Sequence, residues 1–225
     1  MSTTETKSTE APARRAGRSS RLPAIIAAAI GVALLVAMAA STKWLTAAQV
    51  DELTPKPFSA TEFAAEKFGE IQAYVTANAV DVTELVPALA EDANAAGQKY
   101  GVDSGSGKYT IPVKATATVA SVDESFILLD TPDLKDWKIR VPISTTMNGT
   151  PIRDVTGTIH FGDFTDQSTY QSVSAAFKET AQQEVVAKLD TGSLKGTEIT
   201  VYGAYATGGP DGQILIQPVQ IEVHG

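Results

Sequence analysis

Cysteine is absent from this 225-residue chain. That removes disulfides, thiol nucleophiles, cysteine-ligated zinc and an acylated cysteine anchor together. Histidine is nearly absent: His160 and His224 are the only two, so a serine-histidine triad or a histidine-rich metal site has almost no material. No Gly-x-Ser-x-Gly elbow occurs, and Asp130, Asp133 and Asp136 lack the central glycine and closing glutamate of a calcium loop. Those three aspartates read as a solvated turn. Asp163 and Asp166 are close enough in sequence for an acid-base pair, yet nothing in the sequence sets their pKa values apart. The expectation is a protein that is not an enzyme and uses no metal and no cofactor.

Charge is missing from one long stretch. Leu22 to Ala40 contains none, nor any Asn or Gln, and as a helix it rises ~28 Å, close to the hydrocarbon thickness of a bilayer. Lys7, Arg14, Arg15, Arg18 and Arg21 precede it. The positive-inside rule then makes 1–21 a cytoplasmic tail, 22–42 a transmembrane anchor to the cytoplasmic membrane, and everything beyond it extracytoplasmic. Lys43-Trp44 reads as an interfacial anchor on the far side. A second reading competes, because Ala37-Met38-Ala39 has the small-x-small pattern of signal-peptidase sites, and cleavage after Ala39 releases an untethered protein. The run exceeds the ~7–15 residues of a signal core, which favours retention. Its eight alanines keep the insertion free energy modest.

Basic residues are scarce after residue 21, with 13 against 24 acidic ones. A nucleic-acid partner is therefore excluded, since phosphate binding needs lysines and arginines that displace condensed counterions. Residues 43–100 read as a linker and helical preface. The prolines of Leu53-Thr54-Pro55-Lys56-Pro57 make a stiff connector. Ser59 and Glu62 have capping-box spacing, and Ala64, Phe68, Ile71 and Val75 follow as one apolar stripe. A second helix opens near Asp81–Thr83, with Val82, Leu85, Val86 and Leu89 on one side and Pro87 acceptable only within about the first turn.

After the breaker-rich turn at 100–107 the periodicity becomes alternating. Tyr109, Ile111, Val113, Ala115, Ala117 and Val119 predict a strand with one buried face. Shorter strands follow at 126–130 and 137–143, then a helix over about 166–189 with Tyr170, Val173, Phe177, Ala181 and Val185 inside. Strands at 197–206 and 213–223 end the chain, the last shifting phase through a bulge near Pro218. The order β-β-β-α-β-β over 101–225 predicts a mainly β domain with helices, an OB-fold-like five-stranded barrel whose helix plugs one end. The stretch 144–164 departs from that plan and predicts an added short strand around Thr158–Phe161.

Lys99-Tyr100-Gly101, Ser104-Gly105-Ser106-Gly107 with Tyr109, the run Gly149-Thr150-Pro151-Ile152-Arg153-Asp154, Ile159-His160-Phe161-Gly162-Asp163-Phe164, Gln167 with Tyr170, and Leu194-Lys195-Gly196 carry a resemblance. In these blocks, spread from Gly97 to Val223, the chain resembles a family of predicted periplasmic lipoproteins whose shared domain has no established function. The resemblance implies an extracytoplasmic, membrane-tethered protein with an OB-like barrel. It also implies an association with sugar ABC importers, so that transporter components or a sugar are the implied partners, and it implies no activity. This chain departs in having no lipobox cysteine, its transmembrane segment taking that role, and in having Asp166 where the family pattern has asparagine.

Two groups of residues are candidates for a ligand site. Ser104-Gly105-Ser106-Gly107-Lys108 has glycines like a phosphate loop, but Val102 stands where the first glycine belongs, Tyr109 replaces Ser/Thr, and a strand follows. Its readings are a tight turn with positive φ, or bare amides at Ser104 and Ser106 lining a pocket. Arg153, Asp154, Asp163 and Gln167 precede or open the long helix, where planar bidentate groups suit a polyhydroxylated ligand, with Phe164, Tyr170 or Trp137 as an aromatic platform. The structural alternative has Asp163 or Thr165 cap the helix, Asp166 favour its positive end, and Arg153 pair with one of them. The leading expectation is a membrane-anchored accessory or binding protein. Behind it stand a structural interaction module that uses helices 58–96 as its contact surface and, third, a glycan-acting hydrolase.

Overall fold

The computed structural model describes residues 22–43, 45–46, 57–134, 136–144 and 146–224. The expected tail at 1–21, Trp44 of the interfacial pair and residues 53–56 of the connector lie outside the described residues. The chain forms two compact units, 1–57 and 58–225. In the first, α1 (Leu22–Ser41) is a 20-residue helix, about 30 Å long at the α-helical rise. Among the described residues it is the one helix long and apolar enough to cross a membrane. Ile25, Ile30 and Leu35 stand uncovered by protein. At its end the Ser41 and Thr42 hydroxyls donate back to the carbonyls of Ala37 and Met38, so the side chains partner carbonyls of the last turn.

The second unit begins with α2 (Ala60–Asn78). The Ser59 side chain accepts the Glu62 N–H as its cap, and Ala64, Phe68, Ile71 and Val75 are buried in the expected stripe. A two-residue strand, β1 (Val80–Asp81), leads into α3 (Val82–Glu91), capped by Asp81. Pro87 lies in the second turn of α3 rather than the first. Its missing N–H leaves the Thr83 carbonyl without an intrahelical donor, and both residues are exposed, so water reaches that carbonyl. A further helix, α4 (Ala93–Tyr100), starts from Asp92, whose carboxylate accepts the Asn94 and Ala95 N–H groups.

Part of the expected turn at 100–107 is a strand, β2 (Val102–Gly105). It returns into β3 (Lys108–Val122) through Gly105, Ser106 and Gly107, all with positive φ. β3 is the centre of the sheet, antiparallel to β2, to β4 (Phe126–Asp130) and to β6 (Glu198–Ala206), and parallel to β1. β5 (Lys138–Pro142) pairs with β4 and, in parallel, with β7 (Gln213–Leu215), while β8 (Gln217–His224) pairs with β6. The path is β7-β5-β4-β3-β6-β8. Only Ile216 separates β7 from β8, and its N–H donates to the Arg140 carbonyl at 2.9 Å. Between Gln220, opposite Tyr202, and Pro218, opposite Gly203, β8 carries one extra residue, Val219, the expected bulge beside Pro218.

The stretch 144–164 differs from expectation. No strand forms at 158–161; a single 3-10 turn at Phe161–Asp163 stands there, and ahead of it is a short helix, α5 (Gly149–Asp154). The long helix α6 (Gln167–Glu184) stops at Val185 and passes into a 3-10 turn at Val186–Lys188.

Two cores result. In one, the strand residues Ile111, Val113, Ile127, Ile139, Val141, Ile199, Val201 and Ile214, with Ile216 between β7 and β8, cluster with Leu85, Val86 and Leu89 of α3. In the other, α2, α5 and α6 pack together over Ala204 and Val219. The expectation that the long helix plugs the strand bundle is thus corrected: α3, with Ala96 of α4, contributes helical side chains to the strand core. The stripe of α6 (Val173, Phe177, Ala181) instead meets that of α2, because two apolar helix faces of matching length cover each other more fully than one does against a strand end.

Candidate functional site

The side chains singled out in the long connection are positioned by the approach of α5 to α6. Asn148 caps α5 by accepting the Thr150 N–H, and Gly149 follows with no side chain. A Cβ at Gly149 would strike the backbone carbonyl of Ser174, so only glycine lets the two helices come this close. This contact carries Arg153, in the last turn of α5, beneath α6, where it is 6% exposed.

The surroundings of Arg153 saturate it. Its Nε and Nη2 donate to Oδ1 and Oδ2 of Asp154 at 2.6 and 3.0 Å, and Nη1 donates to the Ser174 hydroxyl at 2.7 Å and the Tyr170 carbonyl at 3.3 Å. The guanidinium also lies 3.6 Å from the centroid of the Tyr170 ring. Four of its five N–H bonds are therefore directed at protein, which leaves no bidentate fork for a ligand. Burial pushes the Tyr170 hydroxyl up from its ordinary pKa, and the negative charge of Asp154 adds to that shift.

Four of the eight proposed residues meet around one cavity. Ser104, Arg153, Asp154 and Tyr170 line a space of ≈ 300 Å³ together with Asp103 and His160. Its polar groups are mostly satisfied internally: the Ser104 and Thr110 hydroxyls share a 2.6 Å hydrogen bond, and Asp103 accepts the Gly105 N–H at 2.7 Å. The other four lie elsewhere. Ser106 is exposed at the β2–β3 turn, and Gln167 is exposed in the first turn of α6. Asp163 accepts the His160 N–H at 2.8 Å and closes the 3-10 turn. Phe164 joins an aromatic group with Phe58, Phe63 and Tyr170 at centroid distances of 5.5–5.6 Å. Trp137 packs on the strand core instead.

The cap of α6 is Asp166 itself, not Asp163 or Thr165, and the partner of Arg153 is its neighbour Asp154. The Thr169 N–H donates to Asp166 Oδ1 at 2.7 Å and holds that carboxyl below the usual carboxylate range. A lowered pKa in the folded state adds stability that is present above the unfolded value of about 3.9 and is lost as pH falls through the folded one. Asp166→Asn keeps an accepting oxygen for the cap but cannot titrate. Denaturation at pH 7 should show the variant modestly less stable than the parent, and the gap should narrow below about pH 4, where the parent loses stability that the variant never had. Identical acid profiles would remove the cap as the source.

Sequence reasoning missed a second concavity, on the outward face of β4, β5 and β7. Phe126, Arg140 and Leu215 alternate there with the inward-facing Ile127, Ile139 and Ile214. The available signal was an arginine between Ile139 and Val141 at an outward strand position, but its neighbours become visible only with the pairing Leu128–Arg140–Leu215.

The family model described as predicted periplasmic lipoprotein (DUF2291) matches residues 31–222. Comparison with curated proteins finds no match. Among solved structures the chain is similar to an OB-fold protein from Thermotoga maritima at 17% sequence identity. The match has a TM-score of 0.64 and covers 75% of this chain and 100% of that one. That likeness is one of fold.

Proposed function

Because this chain belongs to the predicted periplasmic lipoprotein family, we propose that it is a non-enzymatic binding protein held at the outer face of the cytoplasmic membrane, with α1 serving where relatives use a lipidated cysteine. The length and apolarity of α1 and the five cations before it support a single crossing with 1–21 inside. The barrel reading rests on Ile216. Since β7 and β8 are one run of chain around it, the path β5-β4-β3-β6 returns to β5 through the final strand, in keeping with five strands wrapped on themselves. A link to sugar import by ABC-type transporters comes from the family resemblance alone.

One observation carries the binding reading. The apolar stripes of α2 and α3, which an interaction module would present to a partner, are buried within the unit, whereas ligand-sized concavities open on its surface. A structural module without a small ligand is the second reading, favoured by the saturation of Arg153.

Topology is tested by fusions behind Gly225. A phosphatase that matures only outside the cytoplasm should be active there, and a reporter that works only in the cytosol should be silent. The reverse pattern removes the proposal. Retention further requires the membrane fraction to hold the full-length mass rather than the product of cleavage after Ala39. Ligand binding is tested by thermal shift of the full-length protein in detergent micelles against neutral and acidic sugars, where ligand at ~100 times its Kd adds ~2.7 kcal/mol of stability. A flat response to the whole panel favours the structural module.

A further inference from the structure

We propose that the outward face of β4, β5 and β7, beneath the turn between β6 and β7, is a binding site for a sugar-sized organic carboxylate. The site is a cavity of ≈ 370 Å³, and it gives a ligand class to the binding role proposed above, on which it rests.

Its most telling side chain is Gln217, which is 2% exposed. Oε1 accepts the Asn148 N–H at 2.7 Å, which fixes the amide orientation, and among the described residues Nε2 has no partner. No fully enclosed side-chain nitrogen or oxygen among the described residues lacks a partner, so Nε2 opens onto the cavity that Gln217 lines. A buried amide held by one end with its donor end bare is an unmet hydrogen bond, and an accepting ligand atom supplies it. Tyr205 is similar: it is 7% exposed and its hydroxyl has no partner among the described residues.

Arg140 supplies the charge. Its guanidinium stacks 3.7 Å from the centroid of the Phe126 ring, and Nη1 reaches only a long 3.5 Å bond to Gln213 Oε1. Among the described residues it makes no ion pair; Asp123 feels its charge, but lies beyond ion-pair distance, with its Oδ1 accepting the Ser125 and Phe126 N–H groups. Stacking orients the planar fork while leaving donors bare at its edge. Asn148, whose Oδ1 is taken by Thr150, adds a side-chain N–H₂. Among the described residues no carboxylate lines the cavity; Asp211, on the adjoining turn, acts on Tyr205 from outside the lining. The site is thus rich in donors and poor in acceptors, with Leu215 and Pro210 as apolar surface, and it suits an acceptor-rich anion with a hydrocarbon face. Among the described residues Arg140 is the only cation in the lining, in a protein with net charge −8, so a monoanion is matched and a dianion is not.

The test is calorimetric titration of the full-length protein in detergent micelles with D-galacturonate, D-glucuronate, D-galactose and galactose 6-phosphate. The first and third share a ring and differ at C6, carboxylate against CH₂OH. Galacturonate or glucuronate should bind at least about tenfold tighter than galactose, the contribution of one charged hydrogen-bonding pair, and Arg140→Gln should bring them to the galactose level. Equal binding of galacturonate and galactose, or no binding of either acid, overturns the carboxylate assignment. So does tighter binding of the 6-phosphate. Galactose binding without preference leaves the general binding role intact, whereas silence of a broad sugar panel counts against that role as well. Because the comparison of sugars uses the unmodified protein, its outcome does not depend on how the variant folds.

Discussion

Arg153→Ala should lower the free energy of unfolding by about 3–5 kcal/mol, the cost of breaking a buried ion pair from one side. The side chains of Arg153 and Asp154 are 8% and 14% exposed, so alanine leaves the Asp154 carboxylate without its bidentate partner in a site that water reaches poorly. The Ser174 hydroxyl and the Tyr170 carbonyl lose a donor in the same step, and the Tyr170 ring loses the cation stacked on it. Arg153→Lys should recover little, because a point charge cannot reproduce four directed bonds from a planar group. The pair Arg153→Met with Asp154→Leu should recover most of the loss, since removing both charges also removes the uncompensated one. Urea denaturation of the three variants measures all of this. A loss under about 1 kcal/mol for Arg153→Ala would place the pair among solvated surface bridges and make Arg153 again a group free to clamp a ligand.

That arrangement also marks where the sequence stopped being readable. The uncharged run of α1, the stripe of α2 behind Ser59 and the alternation of β3 were all visible, because each is a local pattern repeated over enough residues to exceed chance. α5 was not. Gly149-Thr150-Pro151 looks like a loop, and six residues are too few to display a helical period, so the reach of Arg153 was assigned to Asp163 or Asp166 rather than to its neighbour. The reason for Gly149 lies 25 positions later at Ser174, where two backbones approach within the space of a methyl group. The cleft at Arg140 was hidden for a similar reason: Phe126 and Arg140 lie on consecutive strands, but Gln213, Leu215 and Gln217 join them only through the pairing of β5 with β7, far along the chain. Of the candidate residues, Arg153, Asp154 and Tyr170 are near neighbours in sequence and share a cavity, which Ser104 joins only because the fold brings β2 beside α5.

Phe177→Ala should cost about 3–5 kcal/mol, and the loss should be felt unevenly. Phe177 is fully buried and meets the Phe63 ring edge-on at a centroid distance of 6.3 Å. Its cluster contains Ala64, Phe68, Ile71 and Val75 of α2 and Ala204 and Val219 of the sheet, whereas the strand core closes over α3. Truncation therefore opens a void beneath α2 while the side chains inside the strands keep their neighbours. Hydrogen exchange should show α2 losing protection first, with the central amides of β3 following only at the cost of global unfolding. Phe177→Leu, which retains much of the volume, should cost under about 1.5 kcal/mol if neighbours repack. Uniform loss of protection in α2 and β3 after Phe177→Ala would mean that the two clusters behave as one core, and the helix α6 would then support the strands directly, as the order of elements alone suggests. Preferential loosening of α2 instead makes α2, α5 and α6 a separable layer, which bears on function because the Arg140 cleft spans both parts: Phe126, Arg140 and Leu215 come from the sturdier strands, Asn148 and Pro151 from the start of α5.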